Sequence, residues 1–359
     1  MLSSKRLSGV ARAFLLALTG TVSIASAQSV TYEQDRAFPA DNAMAFNTVS
    51  WLDVDETSRE LVLLQRSAPQ ISFWAAEGGL ERQIVTEVLG KPHSIKYGVG
   101  PDGEPELWVT DMAPPNPAGK GMGHCVKRLS MQGELVGTIG TSGAKTAGTG
   151  LDPLEFDWVT DIALTPDNTI MITDGDIGGL NNRLLEVNLA GDKLERVWTA
   201  PGNHPGTGPG EFNLPHAVEY DRCGRTWVAD TLNHRIQVFD KDGEPQGALA
   251  CFGEQGVYGL SVASAAPGNG VPTERIYVST SATKDPRGGE IWVFEAGGSC
   301  APEDAIPTCA PLANWSIDLT SVGHNAMLHA LAVDPATHAI YLAVLGGELP
   351  PQKWVLKQE

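Results

Sequence analysis

The sequence predicts an all-β protein, a six-bladed β-propeller. Three observations carry this. The 359 residues include 40 glycines and 24 prolines, clustered as turns between short runs of alternating apolar residues, and no long segment after the leader repeats apolar positions at the helical period. One strand–turn–strand–turn–strand unit recurs six times at a spacing of about 40–70 residues, the range of propeller blades. The same position in the first strand of three copies is histidine, in KPHSIKY (His93), LPHAVEY (His216) and MLHALAV (His329). A chain this long exceeds a typical domain, but repeats escape that limit because each unit packs on its neighbours.

Residues 1–27 read as a secretory signal: Lys5, Arg6 and Arg12 are basic, Phe14 to Ile24 is a short apolar run, and Ala25-Ser26-Ala27 is a small-residue cleavage site. The run is too short to span a bilayer, and nothing after it is long and apolar enough to do so. Residues 28–44 form an N-terminal segment and 45–359 the propeller. The first blade, VSWLDVDETSRELVLLQRS, starts at Val49. The second starts at Lys91, with KPHSIKY and ELWVTD as alternating strands around Asp102-Gly103. The third starts at Asp157, its turn at Pro166-Asp167-Asn168. The fourth is the clearest: Gly208 opens it, Ala217 to Tyr220 is a strand, Arg222-Cys223-Gly224 turns, Thr226 to Ala229 is the second strand, Asp230 to His234 turns, Arg235 to Phe239 is the third, and Asp242-Gly243 turns again. The fifth starts at Val257 and the sixth at Met327.

Aligning the six first strands puts Ser50, His93, Thr160, His216, Tyr258 and His329 in one ring. First strands line a propeller's channel, so the three histidines stand on alternate blades facing one axis. Three neutral imidazoles with an open fourth position are a catalytic zinc arrangement. Of the other histidines, His234 belongs to a turn, while His124, His204, His324 and His338 fall in loops and are expected in solvent.

The formal net charge of −18 becomes more negative once the basic leader is removed, which excludes nucleic acid and anionic membrane surfaces as partners. It fits an exported protein, secreted or periplasmic. Five cysteines in such a compartment leave at least one outside a bridge. Cys300 and Cys309 could close a Pro-rich loop, Cys223 and Cys251 could pair within one repeat, and Cys125 is left over.

The fourth unit, ADTLNHRIQVFD above all, resembles an NHL repeat. Over residues 45–359 the chain further resembles the lyase domain of peptidyl-α-hydroxyglycine α-amidating enzymes, a secreted six-bladed propeller. That resemblance implies zinc at His93, His216 and His329 with Met327 beside it. It also implies a carboxylate-binding catalytic arginine at Arg66, in Leu63-Leu64-Gln65-Arg66-Ser67. The chain departs from the family in blade three. Thr173-Asp174-Gly175 is kept, but Asp176 and an Ile177–Leu180 insertion replace the family's tyrosine. The family's structural calcium would use the Leu52 and Ile95 carbonyls and an aspartate after the last histidine, where this chain has Ala330. The activity implied is zinc-dependent cleavage of an α-hydroxyglycine-like C–N bond to an amide and glyoxylate, on a small-molecule or peptide substrate bearing a carboxylate. Two residues could carry the proton, Tyr258 in the ring and Asp176 in the altered turn, with Tyr258 slightly preferred. A metal-dependent hydrolase with Asp174 or Asp176 as base is the second reading. A non-catalytic NHL binding module is the third.

Overall fold

Short alternating strands bury one face only when sheets stack against one another, and here six of them do so around an axis. The computed structural model describes residues 29–357 except 41–43, 67–69, 113–122, 142–148, 200–202, 266–272, 283–287, 297–299, 301–305 and 321–325. The leader and His324 therefore lie outside the described residues. There are six four-stranded antiparallel sheets. Their innermost strands are Val49–Val54, Pro92–Val99, Val159–Leu164, Pro215–Tyr220, Gln255–Ala265 and Met327–Val333. Among the described residues the only helical element is one 3-10 turn, Thr231–Asn233, closed by His234 at a left-handed φ of 55°.

Each blade runs in sequence order except the last. The outermost strand of blade six is Tyr32–Gln34, paired with Trp354 to Leu356. The propeller thus takes in residues ahead of position 45, because a ring of sheets closes only when one end of the chain completes the other end's blade. The outer strand of blade four, Pro245–Leu249, is likewise absent from the sequence reading. Its residues are mostly exposed, so they carry no apolar alternation.

In blades two to six the second strand sets a large side chain beside its own channel strand. Trp108, Met171, Trp227, Tyr277 and Tyr341 pair in register with Lys96, Ala163, Glu219, Ser261 and Ala332 of the channel strands. All five are essentially buried. Between blades, Tyr277 of blade five stacks on His338 of blade six at 6.4 Å, so buried ring area also holds neighbours together.

The cysteine pairing differs from expectation. Cys223 bonds Cys300 and Cys251 bonds Cys309, with Cα separations of 5.3 and 5.6 Å, while Cys125 is buried outside both bridges. The cause is blade geometry. Cys223 is in the turn at one end of blade four, whereas Cys251 follows Leu249 at the other. A strand of that length, about 17 Å, far exceeds the roughly 7 Å that a disulfide can bridge. Cys300 and Cys309 instead reach opposite ends of blade four, and Ile306 lies against Gly247 of its outer strand.

Candidate functional site

Every ring residue sits at an irregularity. The pairing of innermost with second strand slips between Val49 and Trp51, Pro92 and Ile95, Val159 and Asp161, Pro215 and Val218, Val257 and Gly259, and Leu328 and Ala330. A bulge leaves one residue unpaired and re-aims its side chain. Ser50, His93, Thr160, His216, Tyr258 and His329 occupy these six bulges, the ring expected from the sequence.

In blades one to four the backbone leading into the bulge is clamped by the residue ending the second strand. Asp111 accepts the N–H groups of Gly90 and Lys91, Asp174 that of Asp157, Asp230 that of Asn213, and Gln65 that of Asn47, all at 2.6–2.8 Å. The aspartates are held in turn by Lys127, Arg183 and Arg235 at 2.6, 2.9 and 2.7 Å. Asp174 is thereby committed to structure, fully buried between Asn181, Arg183 and a backbone amide. It is withdrawn from the base role considered above.

His93, His216 and His329 are 0–3% exposed. Each places Nδ1 2.8 Å from the carbonyl of the next blade's ring residue: His93 on Thr160, His216 on Tyr258, His329 on Ser50. A carbonyl only accepts, so every Nδ1 carries the proton and every Nε2 presents a lone pair to the axis. The Nε2 atoms of His216 and His329 face each other at 3.2 Å, and that of His93 has no hydrogen-bond partner. The three ligand atoms lie within 4.8 Å of one another. Two lone pairs at 3.2 Å repel unless a cation lies between them. Ligands on one tetrahedral metal at 2.0–2.1 Å stand about 3.4 Å apart. The donor set fits a divalent metal. Burial keeps all three imidazoles neutral, holding His216 down at about 4 despite Asp176, and His93 and His329 well below the usual range.

Trp51, which sequence reasoning missed, is the floor. Its ring centroid lies 5.5, 5.7 and 5.8 Å from those of His93, His216 and His329. Being apolar and beside the serine of the ring, it carried no chemical signal in the sequence.

Around the trio the other candidates fall as follows. Arg66 donates its amide to Thr48 at the end of the second strand and brings Nη2 3.4 Å from His329 Nε2. Burial lowers its guanidinium to about 10, with Asp176 pulling the other way, so it stays charged. Asp176 places Oδ2 3.8 Å from His93 Nε2. The Ile177 N–H donates to Asp176 Oδ1, and a Cβ on Gly175 would lie 2.0 Å from the Asn181 carbonyl oxygen, so the turn needs glycine there. Tyr258 packs edge-on to His216 at 5.1 Å and stacks on His329 at 6.4 Å, and its phenol is raised, first by burial and then by Asp176. Those two influences belong to the protein alone; a cation held by the trio would act on the phenol in the opposite sense. Met327 opens its strand two residues before His329, half-buried, and offers a wall and no proton. Lys91, two residues before His93, sets its ammonium 4.8 Å over the Trp158 ring, and the charges of Arg66 and Asp176 both reach it.

Two expectations for other histidines are corrected. His124 and His338 are buried, not solvated: His124 Nδ1 accepts the Trp158 amide, and His338 Nδ1 is 2.8 Å from the Tyr277 hydroxyl. A second cluster, Asp221, Cys223 and Glu274, cannot use a thiolate because Cys223 is in a disulfide. At the calcium position Ala330 brings no carboxylate. Nearby, Lys96 is buried with Nζ 2.6 Å from Glu219, and the charges of Asp161 and Asp53 act on it.

No family model matches the chain. Human NHL repeat-containing protein 3 is 32% identical over 334 residues, 91% of this chain and 85% of that protein. The mouse protein of the same name is 32% identical over 323 residues, 88% and 82% of the two chains. Among solved structures a streptogramin B lyase superposes with a TM-score of 0.52 at 12% identity, over 92% of this chain and 98% of that one, which speaks for the fold alone. The sequence similarity is to NHL-repeat proteins and not specifically to peptidylamidoglycolate lyases.

Proposed function

The chain belongs to the NHL repeat-containing protein 3 family, and from that premise we propose that it is an exported zinc-dependent lyase acting on α-hydroxyglycine-like carbinolamides. The observation carrying the proposal is the convergence of three buried, neutral Nε2 atoms, each fixed by its Nδ1–H on a neighbouring blade's carbonyl. Such a set belongs to a metal with room for a further ligand. The two disulfides agree with an oxidising compartment.

Zinc held by His93, His216 and His329 would supply a Lewis acid that lowers the pKa of a substrate hydroxyl. The chain's own groups do the rest. Arg66 binds the substrate carboxylate with its planar fork and keeps positive charge beside the oxygen that becomes anionic. Asp176, the carboxylate nearest the trio, takes the hydroxyl proton at Oδ2. The C–O bond gains double-bond character as the C–N bond breaks, and the electron pair goes to nitrogen. Asp176 returns the proton there, giving the amide and glyoxylate with atoms and charge balanced. Tyr258, edge-on to His216 and stacked on His329, is assigned to the wall of the pocket.

The test is metal analysis of the purified protein, followed by glyoxylate release from an N-acyl-α-hydroxyglycine. One zinc per chain and release that disappears in His216→Ala are expected. A chain that takes up no metal, or a variant as active as the wild type, refutes the reading.

A further inference from the structure

The residue two positions before each ring residue stands at the mouth of the channel: Thr48, Lys91, Trp158, Leu214, Gly256 and Met327. In blades one to four its carbonyl accepts the amide just beyond the second strand, from Arg66, Met112, Gly175 and Thr231 respectively. Two members of this upper ring, from adjacent blades, touch: the Lys91 ammonium lies on the face of Trp158. The main chain of both residues is held in place. Lys91 donates its amide to Asp111 at 2.8 Å and accepts from Met112 at 3.1 Å. Trp158 holds a left-handed φ of 65° with its amide on His124. Among the described residues the Lys91 ammonium forms no direct ion pair; it rests on the Trp158 face, within reach of the charges of Arg66 and Asp176.

We propose that Lys91, seated on Trp158, is a second anion anchor of the site, working with Arg66 to select substrates that carry a carboxylate next to the metal's open position. The charge balance supports this. In a strongly acidic chain, two cations, Arg66 and Lys91, lie within reach of each other's charge; one carboxylate, Asp176, acts on Lys91 and stands 3.8 Å from His93, leaving a local excess of positive charge. A bound divalent metal adds to that excess, and an anion entering the mouth relieves it. Fixed charges lining a cleft concentrate the opposite charge there. Arg66 gives the directional, planar contact, and Lys91 gives a mobile point charge that can follow the anion. Trp158 is a positioning residue: its ring keeps the ammonium at the mouth when no anion is present, at little cost in desolvation. This deepens the metal-site reading above by adding a residue that selects for the substrate's carboxylate, and rests on that reading for the place of the open position.

The probe pair is glycolate and its neutral analogue glycolamide, titrated calorimetrically into the full chain, zinc-loaded and zinc-free. Wild-type protein should bind glycolate more tightly than glycolamide. Lys91→Gln should weaken glycolate about tenfold, the size of one partly exposed charge-assisted hydrogen bond, and leave glycolamide unchanged. Lys91→Arg should restore most of the loss. Trp158→Leu should lower the glycolate-to-glycolamide ratio by a smaller factor, a readout that a general loosening of the fold would not move. Equal affinity of the wild type for both probes, or a Lys91→Gln loss that is absent or the same for both, overturns the anchor. The two readings fail separately. If zinc binds stoichiometrically and Lys91→Gln changes nothing, only the anchor falls. If no zinc is taken up yet Lys91→Gln still weakens glycolate in the zinc-free protein, the lyase reading falls and the anchor stands.

Discussion

Three neutral imidazoles buried together should make the metal-free protein sensitive to mild acid, and His216 gives the magnitude. Its pKa is held down at about 4 by burial, against roughly 6.5 in an unfolded chain. Between those values the unfolded chain binds the proton and the folded chain does not, so stability from this group is complete above pH ~6.5 and is lost as pH falls through ~4. The full span is about 2.5 units, or roughly 3 kcal/mol at 1.36 kcal/mol per unit. Buried carboxyls work in the opposite direction: Asp53 and Asp161 are raised to about 6 by burial, with Lys96 pulling them down. Since a single pH profile mixes these, the perturbation is His216→Gln, which removes the titrating group and keeps an amide able to donate to the Tyr258 carbonyl. Urea unfolding of both chelator-treated proteins at steps from pH 7.5 to 4.5 gives the difference profile. The wild type should lose stability relative to the variant by about 2–3 kcal/mol over that range, and saturating zinc should move the loss to lower pH because metal and proton compete for Nε2. A flat difference profile would mean that His216 is accessible or already protonated in the fold, and the trio could not be the neutral donor set described.

Replacing His93 or His329 by Ala should abolish stoichiometric zinc, measured by elemental analysis after gel filtration, since two imidazoles leave the set incomplete. Asp176→Asn should lower turnover by about 10²-fold or more while Tyr258→Phe changes it little, as removal of a general base does; the opposite order in steady-state kinetics would return the proton to Tyr258. Trp51→Ala should cost roughly 3–5 kcal/mol in chemical unfolding, because it empties the floor on which all three imidazoles rest. Lys96→Met should cost a similar roughly 3–5 kcal/mol at neutral pH by leaving buried carboxylates unpaired, and less at pH 5, where Asp53, Asp161 and Glu219 can protonate.

The sequence by itself determined the blades and the ring. Alternating apolar runs bounded by turn residues can be satisfied only by half-buried strands, and six copies of one unit require six copies of one environment. His93, His216 and His329 therefore fell into alternate blades before any coordinate was known, and Arg66 fell at the end of a second strand. What the sequence left open depended on contacts between distant residues. The charges and the burial around Asp176 and Tyr258 come from residues of other blades, His93 beside the one and His216 and His329 beside the other. Disulfide partners could not be read from spacing, because Cys223 and Cys251 are close in sequence but at opposite ends of one blade. Trp51, Lys91 and Trp158 carried no local signature at all. An indole becomes a floor, and a lysine an anion anchor, only when closure of the ring brings their blades to the same axis, since both roles are made of neighbours that the chain supplies from elsewhere.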